Sequence, residues 1–193
     1  MSGDEIRRGE VVIASVGTIL YCFMPDGLKI LAGERQNEPW VGTNLFIFGG
    51  LVSAQDETVE QAALREAKEE TSPSLEIQIR HFIGCYGPKS VHYRLTLTDL
   101  GELVAIPTKE EMSRYKFVML AFAGEVTGGY LITRPNQESG RLSWIAPKEL
   151  AANGKPYAFD SALILADFYN KLRHESNFAA SPVIKKALWD SGI

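Results

Sequence analysis

Gly49-Gly50-Leu51-Val52-Ser53-Ala54-Gln55-Asp56-Glu57-Thr58-Val59-Glu60-Gln61-Ala62-Ala63-Leu64-Arg65-Glu66-Ala67-Lys68-Glu69-Glu70 is the stretch that decides how this chain folds. Good helix formers run from Val59 to Glu70, Asp56 reads as the N-cap, and Thr71-Ser72-Pro73 stops the helix. Helical residues advance about 100° each, so Glu66, Glu69 and Glu70 fall within an arc of roughly 100°. Val59, Ala63 and Ala67 make a neighbouring stripe, small and apolar enough for the helix to lie close on a sheet.

Upstream, residues 11–23 are rich in β-branched side chains and read as a strand. Pro25-Asp26-Gly27 has turn chemistry, and Leu28 to Ala32 completes a hairpin. Residues 37–44 form a loop, and Leu45 to Phe48 a short apolar strand ended by Gly49-Gly50. Downstream, Leu75 to Phe82 alternates with the period of a half-buried strand. Tyr93 to Leu97, Phe117 to Val126 and Leu142 to Ile145 read as further strands, with a polar excursion over 109–116. Helices are expected at 147–151 and at Ser161 to His174, and a last short one from Ser181-Pro182 to Asp190. Hairpins mixed with crossovers predict a mixed sheet covered by helices in one domain over 1–193. Within it, 88–116 is an insertion or excursion and 159–193 a C-terminal helical part.

Composition narrows the function. The 193 residues are 45% hydrophobic and 23% charged, ordinary for a globular chain, with no internal repeat of 20–50 residues. Net charge is −4 and there is no long basic tract, which argues against a nucleic-acid partner. Cys22 and Cys85 lack metal-site spacing, as do His81, His92 and His174, and two thiols read as reduced in a cytoplasmic protein. Arg7-Arg8 before the apolar run Val11 to Met24 mimics a signal peptide, but the surrounding Asp4, Glu5 and Glu10 and the β-branched content favour a buried strand. No apolar stretch reaches the ~18 residues needed to span a bilayer.

Carboxylates stacked on one helical turn repel one another, and Arg65 cannot neutralise all of Glu66, Glu69 and Glu70. Such a group is either a solvated acidic face or a seat for a cation. Hard Mg²⁺ or Mn²⁺ suits carboxylate oxygens and keeps sites open for substrate phosphates. Gly49-Gly50, without Cβ atoms, lets backbone approach a ligand closely. These are parts for metal-assisted attack of water on a phosphate.

The stretch resembles the Nudix box: Gly, five residues, Glu, seven residues, Arg-Glu-apolar-any-Glu-Glu, any, Gly, apolar. Gly50, Glu57, Arg65, Glu66, Ala67, Glu69 and Glu70 carry the match. Six residues rather than five separate Gly50 from Glu57, and Ser72 replaces the second Gly. The resemblance implies an α+β fold, an α/β/α sandwich around a mixed β-sheet. It implies metal-dependent hydrolysis of a small nucleoside diphosphate derivative, of ADP-ribose or nucleotide-sugar type. It implies Glu66, Glu69 and Glu70 as ligands of Mg²⁺ or Mn²⁺, with a carbonyl of Gly50 or Gly49, and Glu57 either holding the loop or binding metal through water. Arg65 would orient the glutamates. The catalytic base would be Glu66 or Glu69, or a loop glutamate outside the box, with Glu138 ahead of Glu110 and Glu111.

Arg35 is a candidate for a terminal phosphate, and Trp40, Phe46 and Tyr86 are candidates to stack a base or ribose. His92 and Tyr93 fall in the insertion. A nucleoside-triphosphate pyrophosphohydrolase and a non-catalytic, Nudix-like ligand-binding module are the alternatives. A regulator would need a DNA-reading helix-turn-helix, for which the tail after His174 is short. The expected partner is a small nucleotide, with no membrane and a homodimer as an option.

Overall fold

The computed structural model describes residues 12–37, 40–86, 116–132, 139–157 and 161–174. The strands are β1 (Val12–Met24), β2 (Gly27–Glu34), β3 (Asn44–Leu45), β4 (Ile47–Phe48), β5 (Glu76–Tyr86), β6 (Lys116–Gly128) and β7 (Ser143–Ile145). The helices are α1 (Val59–Glu70), α2 (Pro147–Ala152) and α3 (Ser161–His174). The sheet runs β3-β2-β1-β6-β5, with β4 also on β1 and β7 also on β2. Its centre is parallel, β1 on β6 from Val12↔Lys116 to Tyr21↔Glu125, and the remaining pairs are antiparallel. This is the mixed sheet between helices that the sequence predicts.

Both faces of the central strands are covered, which is why β1 and β6 read as nearly unbroken apolar runs. On one face Ala14, Val16, Val118, Leu120 and Phe122 pack against Ala62 and Ala63 of α1. On the other, Ile19, Tyr21, Ala121 and Ala123 pack against Ile164, Leu165, Phe168 and Leu172 of α3. Ala62, Ala63 and Ala67 are fully buried, and the Thr18 hydroxyl donates to the Ala63 carbonyl at 3.3 Å across the layer. The alanines bring the helix backbone within reach of a strand side chain.

The β1–β2 hairpin closes at Pro25-Asp26, with Gly27 at φ +124° and Lys29 paired to Asp26 at 2.8 Å. Three expectations change. The strand expected over 45–48 is two, β3 on β2 and β4 on β1, because Phe46 turns inward and packs on Tyr157 with centroids 5.6 Å apart. β5 continues beyond Phe82 to Tyr86, since its last residues Cys85 and Tyr86 are buried against β6 and the α3 side. Thr58, not Asp56, caps α1: its hydroxyl accepts from the Gln61 N–H at 3.1 Å. The strand at 93–97, most of the 88–116 excursion and the last helix at 182–190 lie outside the described residues. No helix among the described residues is long and apolar enough to cross a membrane.

Cys22 and Cys85 are free thiols. Burial pushes the Cys85 thiol up to about 11, which leaves about one part in a thousand as the reactive thiolate at pH 8. Iodoacetamide at pH 8 is therefore expected to label Cys85 in the folded chain at least a hundredfold more slowly than in urea-unfolded chain. Mass spectrometry of timed digests checks this.

Candidate functional site

The site is assembled where the end of β4 meets the last two turns of α1. After β4 the chain stays against β1: Val16 N–H donates to the Gly50 carbonyl at 2.8 Å and Val52 N–H to the Ala14 carbonyl at 3.3 Å. This contact demands glycine twice. A Cβ on Gly49 would collide with the Val16 carbonyl oxygen, and one on Gly50 would stand 2.5 Å from Oε2 of Glu66. Gly49 therefore seats the loop on the sheet, and Gly50 makes room for a carboxylate.

Arg65 organises the acidic groups. Its Nε and Nη2 donate to the two oxygens of Asp56 at 3.0 and 2.8 Å, a forked, charge-assisted pair. Nη1 donates to Glu66 at 2.7 Å and reaches Glu69 at 3.4 Å, and Nη2 also donates to the Leu51 carbonyl at 3.3 Å. The carboxylates grade from core to solvent, with side-chain exposures of 6% at Asp56, 15% at Glu66 and 60% at Glu69. Glu70 accepts from Gly49 N–H at 3.0 Å, so the loop and the helix end hold each other. The hydrogen bond from Arg65, aided by the Ser53 N–H, holds the Asp56 carboxyl below the usual carboxylate range. Asp56, with Glu66, raises the Arg65 guanidinium in turn.

Asp56 is the site residue that sequence reasoning misplaced. Counted from Gly50, the acidic position after five intervening residues is Asp56, so the extra residue of this box falls between the acid and Arg65. Glu57, expected to hold the loop, is exposed, and its N–H donates to the Gln61 side chain at 3.0 Å. Counting forward from the glycine would have found Asp56; counting back from Arg65 selects Glu57.

The box end is also altered productively. Ser72, standing at the pattern's glycine, is buried, and its hydroxyl bonds the Tyr130 carbonyl at 3.0 Å, as does Ser74. The Thr71 hydroxyl donates to the Ala67 carbonyl at 2.5 Å. The end of α1 is thereby fixed to the segment leaving β6.

Other expected residues are not gathered here. Phe46 and Tyr86 are core side chains, 0% and 4% exposed, and the Tyr86 hydroxyl donates to Asp167 of α3 at 2.8 Å. Neither presents a ring face to a ligand, because both fill the layer between sheet and helix. Arg35 and Trp40 belong to the β2–β3 connection, closed by backbone bonds between Arg35 and both Gly42 and Thr43, with Trp40 exposed near its tip. The Gly50 carbonyl accepts from the Val16 N–H through one of its two lone pairs. Glu138, Glu110, Glu111, His92 and Tyr93 lie outside the described residues. Among the described residues, no three His, Cys, Asp or Glu side chains are gathered about one point as they stand. Glu66 is turned to Arg65 and Glu70 to Gly49.

A family model for the NUDIX domain matches residues 15–168, which takes in every strand and helix of the sandwich except its ends. The chain belongs to the Nudix family. Solved structures share its fold at low identity. The NUDIX domain of Shewanella oneidensis NrtR, cocrystallised with ADP ribose, has a TM-score of 0.55 and 19% identity over 89% of this chain and 94% of that one. A MutT/nudix family protein from Enterococcus faecalis has a TM-score of 0.58 and 18% identity over 96% and 70%. A UDP-X diphosphatase has a TM-score of 0.52 and 12% identity over 87% and 68%. No curated protein matches the chain. In this Nudix chain the box register is therefore a local variation on a shared fold.

Removing Asp56 strands a partly buried guanidinium, whereas Glu57 is exposed. D56A is expected to lower unfolding free energy by about 2 kcal/mol, and E57A by no more than about 0.5 kcal/mol, both read by urea denaturation. The depressed Asp56 carboxyl stabilises the fold above the unfolded aspartate value near ~3.9, and this is lost as pH falls through the lower folded value. The gap between wild type and D56N should accordingly narrow below about pH 4.

Proposed function

We propose that this chain hydrolyses the diphosphate linkage of a small nucleoside diphosphate derivative, of ADP-ribose or nucleotide-sugar type, with a hard divalent cation. The observation that carries the reading is the Arg65 fork, which sets Glu66 beside the Cβ-free Gly50 with Glu69 and Glu70 one turn on. A purely solvated acidic face has no need of a glycine cleared to 2.5 Å from one carboxylate. That the NrtR NUDIX domain was crystallised with ADP ribose, and that another relative in fold is a UDP-X diphosphatase, supports the substrate class.

The donor set suits such a cation chemically: carboxylate oxygens of Glu66, Glu69 and Glu70 with a loop carbonyl of Gly49 or Gly50. Bound there, Mg²⁺ or Mn²⁺ would supply Lewis acidity toward the attacking water and the diphosphate oxygens. The chain's own residues do the rest. Arg65 anchors Glu66 and fixes its direction through the Asp56 fork. The Gly49 N–H orients Glu70. Glu69, exposed and only loosely held by Arg65 at 3.4 Å, is the carboxylate free to swing and take the proton of the attacking water. Water oxygen bonds to one phosphorus, the bridging P–O bond breaks, and each product leaves with a terminal phosphate. Glu66, held at 2.7 Å, is better placed as a fixed ligand than as the base.

The test is product analysis with Mg²⁺ or Mn²⁺ over ADP-ribose, NADH, UDP-glucose, dinucleoside polyphosphates and the nucleoside triphosphates including 8-oxo-dGTP. Turnover of a diphosphate-linked substrate is expected. EDTA should abolish it, and E69Q/E70Q should lower kcat at least about 100-fold with an unchanged circular dichroism spectrum. Turnover confined to triphosphates would replace the substrate class. No turnover on any compound would reject the hydrolase in favour of a binding module.

A further inference from the structure

Asn153-Gly154 is the only Asn-Gly pair in the chain, and it closes α2. Asn153 caps the helix with φ −71° and ψ −6°, and Gly154 follows at φ +70°. Both residues are exposed, and a Cβ at Gly154 would meet nothing within 4 Å. With no side chain on the following residue, the amide carbon of an asparagine is open to attack by the next backbone nitrogen.

What sets this pair apart is its partner. Asn44, at the start of β3 and 3% exposed, forms a reciprocal amide pair with Asn153. Asn44 Nδ2 donates to Asn153 Oδ1 at 3.1 Å, and Asn153 Nδ2 donates to Asn44 Oδ1 at 2.7 Å. The backbone fixes the direction of both amides. Asn44 Nδ2 also donates to the Lys155 carbonyl at 3.0 Å, and the Lys155 N–H donates to Asn153 Oδ1 at 3.0 Å. A flip of either group would set acceptor on acceptor or donor on donor. The Asn44 N–H donates to the Pro156 carbonyl at 2.9 Å, and Phe46 packs on Tyr157. Residues 153–157 are thus clasped to the strand that leads through β4 into the box loop, and Asn44 is the centre of the clasp.

We propose that Asn153 is a site of spontaneous deamidation, and that the Asn44 amide pair is the catch that holds the reaction off. The Gly154 nitrogen forms a bond to Asn153 Cγ, the Cγ–Nδ2 bond breaks, and ammonia leaves with the Gly154 proton. Water then opens the cyclic imide at one of its two carbonyls, giving aspartate or isoaspartate. No oxidant or other co-reactant enters. Ring closure needs the Gly154 nitrogen eclipsed with Asn153 Cβ about the Cα–C bond. At ψ −6° it is eclipsed with the Asn153 nitrogen instead, and the side-chain amide is tied by three hydrogen bonds. The reaction therefore proceeds from a locally opened clasp, at a rate set by how often that state is visited. The product cannot close again. An aspartate oxygen would face Asn44 Oδ1 where Nδ2 now donates, and turning the Asn44 amide would bring its oxygen onto the Lys155 carbonyl. Isoaspartate would add a main-chain carbon as well. One chemical event converts a closed connection into an open one, without an enzyme.

The test is timed peptide mapping of the full chain held at pH 8, with mass spectrometry to read aspartate and isoaspartate at each asparagine. Conversion is expected at Asn153 ahead of every other asparagine, and at least about thirtyfold faster in urea-unfolded chain. N44A removes three side-chain hydrogen bonds of the clasp and should speed conversion in the folded chain at least about fivefold, with no change in urea. G154D, whose aspartate tolerates positive φ, should slow conversion at Asn153 in both states. N153D, which mimics one product, should let the Asn44 N–H exchange hydrogen at least about fivefold faster. Folded wild type and N44A converting at one rate overturns the inference, as does isoaspartate gathering first at another asparagine. Should N44A not fold, the wild-type chain decides in urea below its unfolding transition. Conversion that rises in step with hydrogen exchange at the Asn44 N–H supports the catch, and conversion indifferent to that exchange rejects it.

Discussion

One guanidinium holds this site in shape. Arg65 faces Asp56, Glu66, Glu69 and the Leu51 carbonyl at once, and it does so because the chain returns on itself between Gly50 and Thr58. Carboxylates at helical spacing repel one another. Of the three acids that Arg65 faces, it holds the two more buried, Asp56 and Glu66, closely, and reaches the most exposed, Glu69, only at 3.4 Å. The result is a graded cluster: an acid fixed for structure, one fixed in direction, and one with freedom to move.

That arrangement depends on close packing beneath it. Ala62, Ala63 and Ala67 let α1 approach the sheet until Thr18 bonds a helix carbonyl, and Gly49 lets the loop lie on Val16 without a side chain between. A larger residue at any of these positions would lift the helix or the loop, and the Gly50–Glu66 contact would open. The parallel pairing of β1 with β6 provides the flat, doubly covered floor on which this rests. At the far end of α1, the Ser72 and Ser74 hydroxyls lock the helix to Tyr130, so the departure from glycine there adds a tie.

Much of this is legible in the chain itself. Residues 59–70 form the helix that their composition predicts, and the hairpin, the long strand at 116–128 and the helix at 161–174 stand close to their expected limits. The carboxylate stripe and the glycine pair belong to the same local code. Phe46 and Tyr86 show where that code fails: an aromatic side chain has the same letter whether it faces a ligand or fills a core. The pairing of Arg65 fails for a related reason. Asp56 and Glu57 are adjacent acids, and a loop of unusual length decides which of them turns inward.

The sequence by itself determined the order of elements, the family pattern and the spacing of the acidic groups. Periodicity, turn chemistry and fixed helical geometry act over a few residues, so they can be read in line. Only the tertiary structure decided that Asp56 anchors Arg65 and that the Gly50 carbonyl is engaged by β1. Each of these depends on which surfaces meet across the sheet. Contacts between residues distant in the chain are set by packing of the whole layer, and no local stretch contains them.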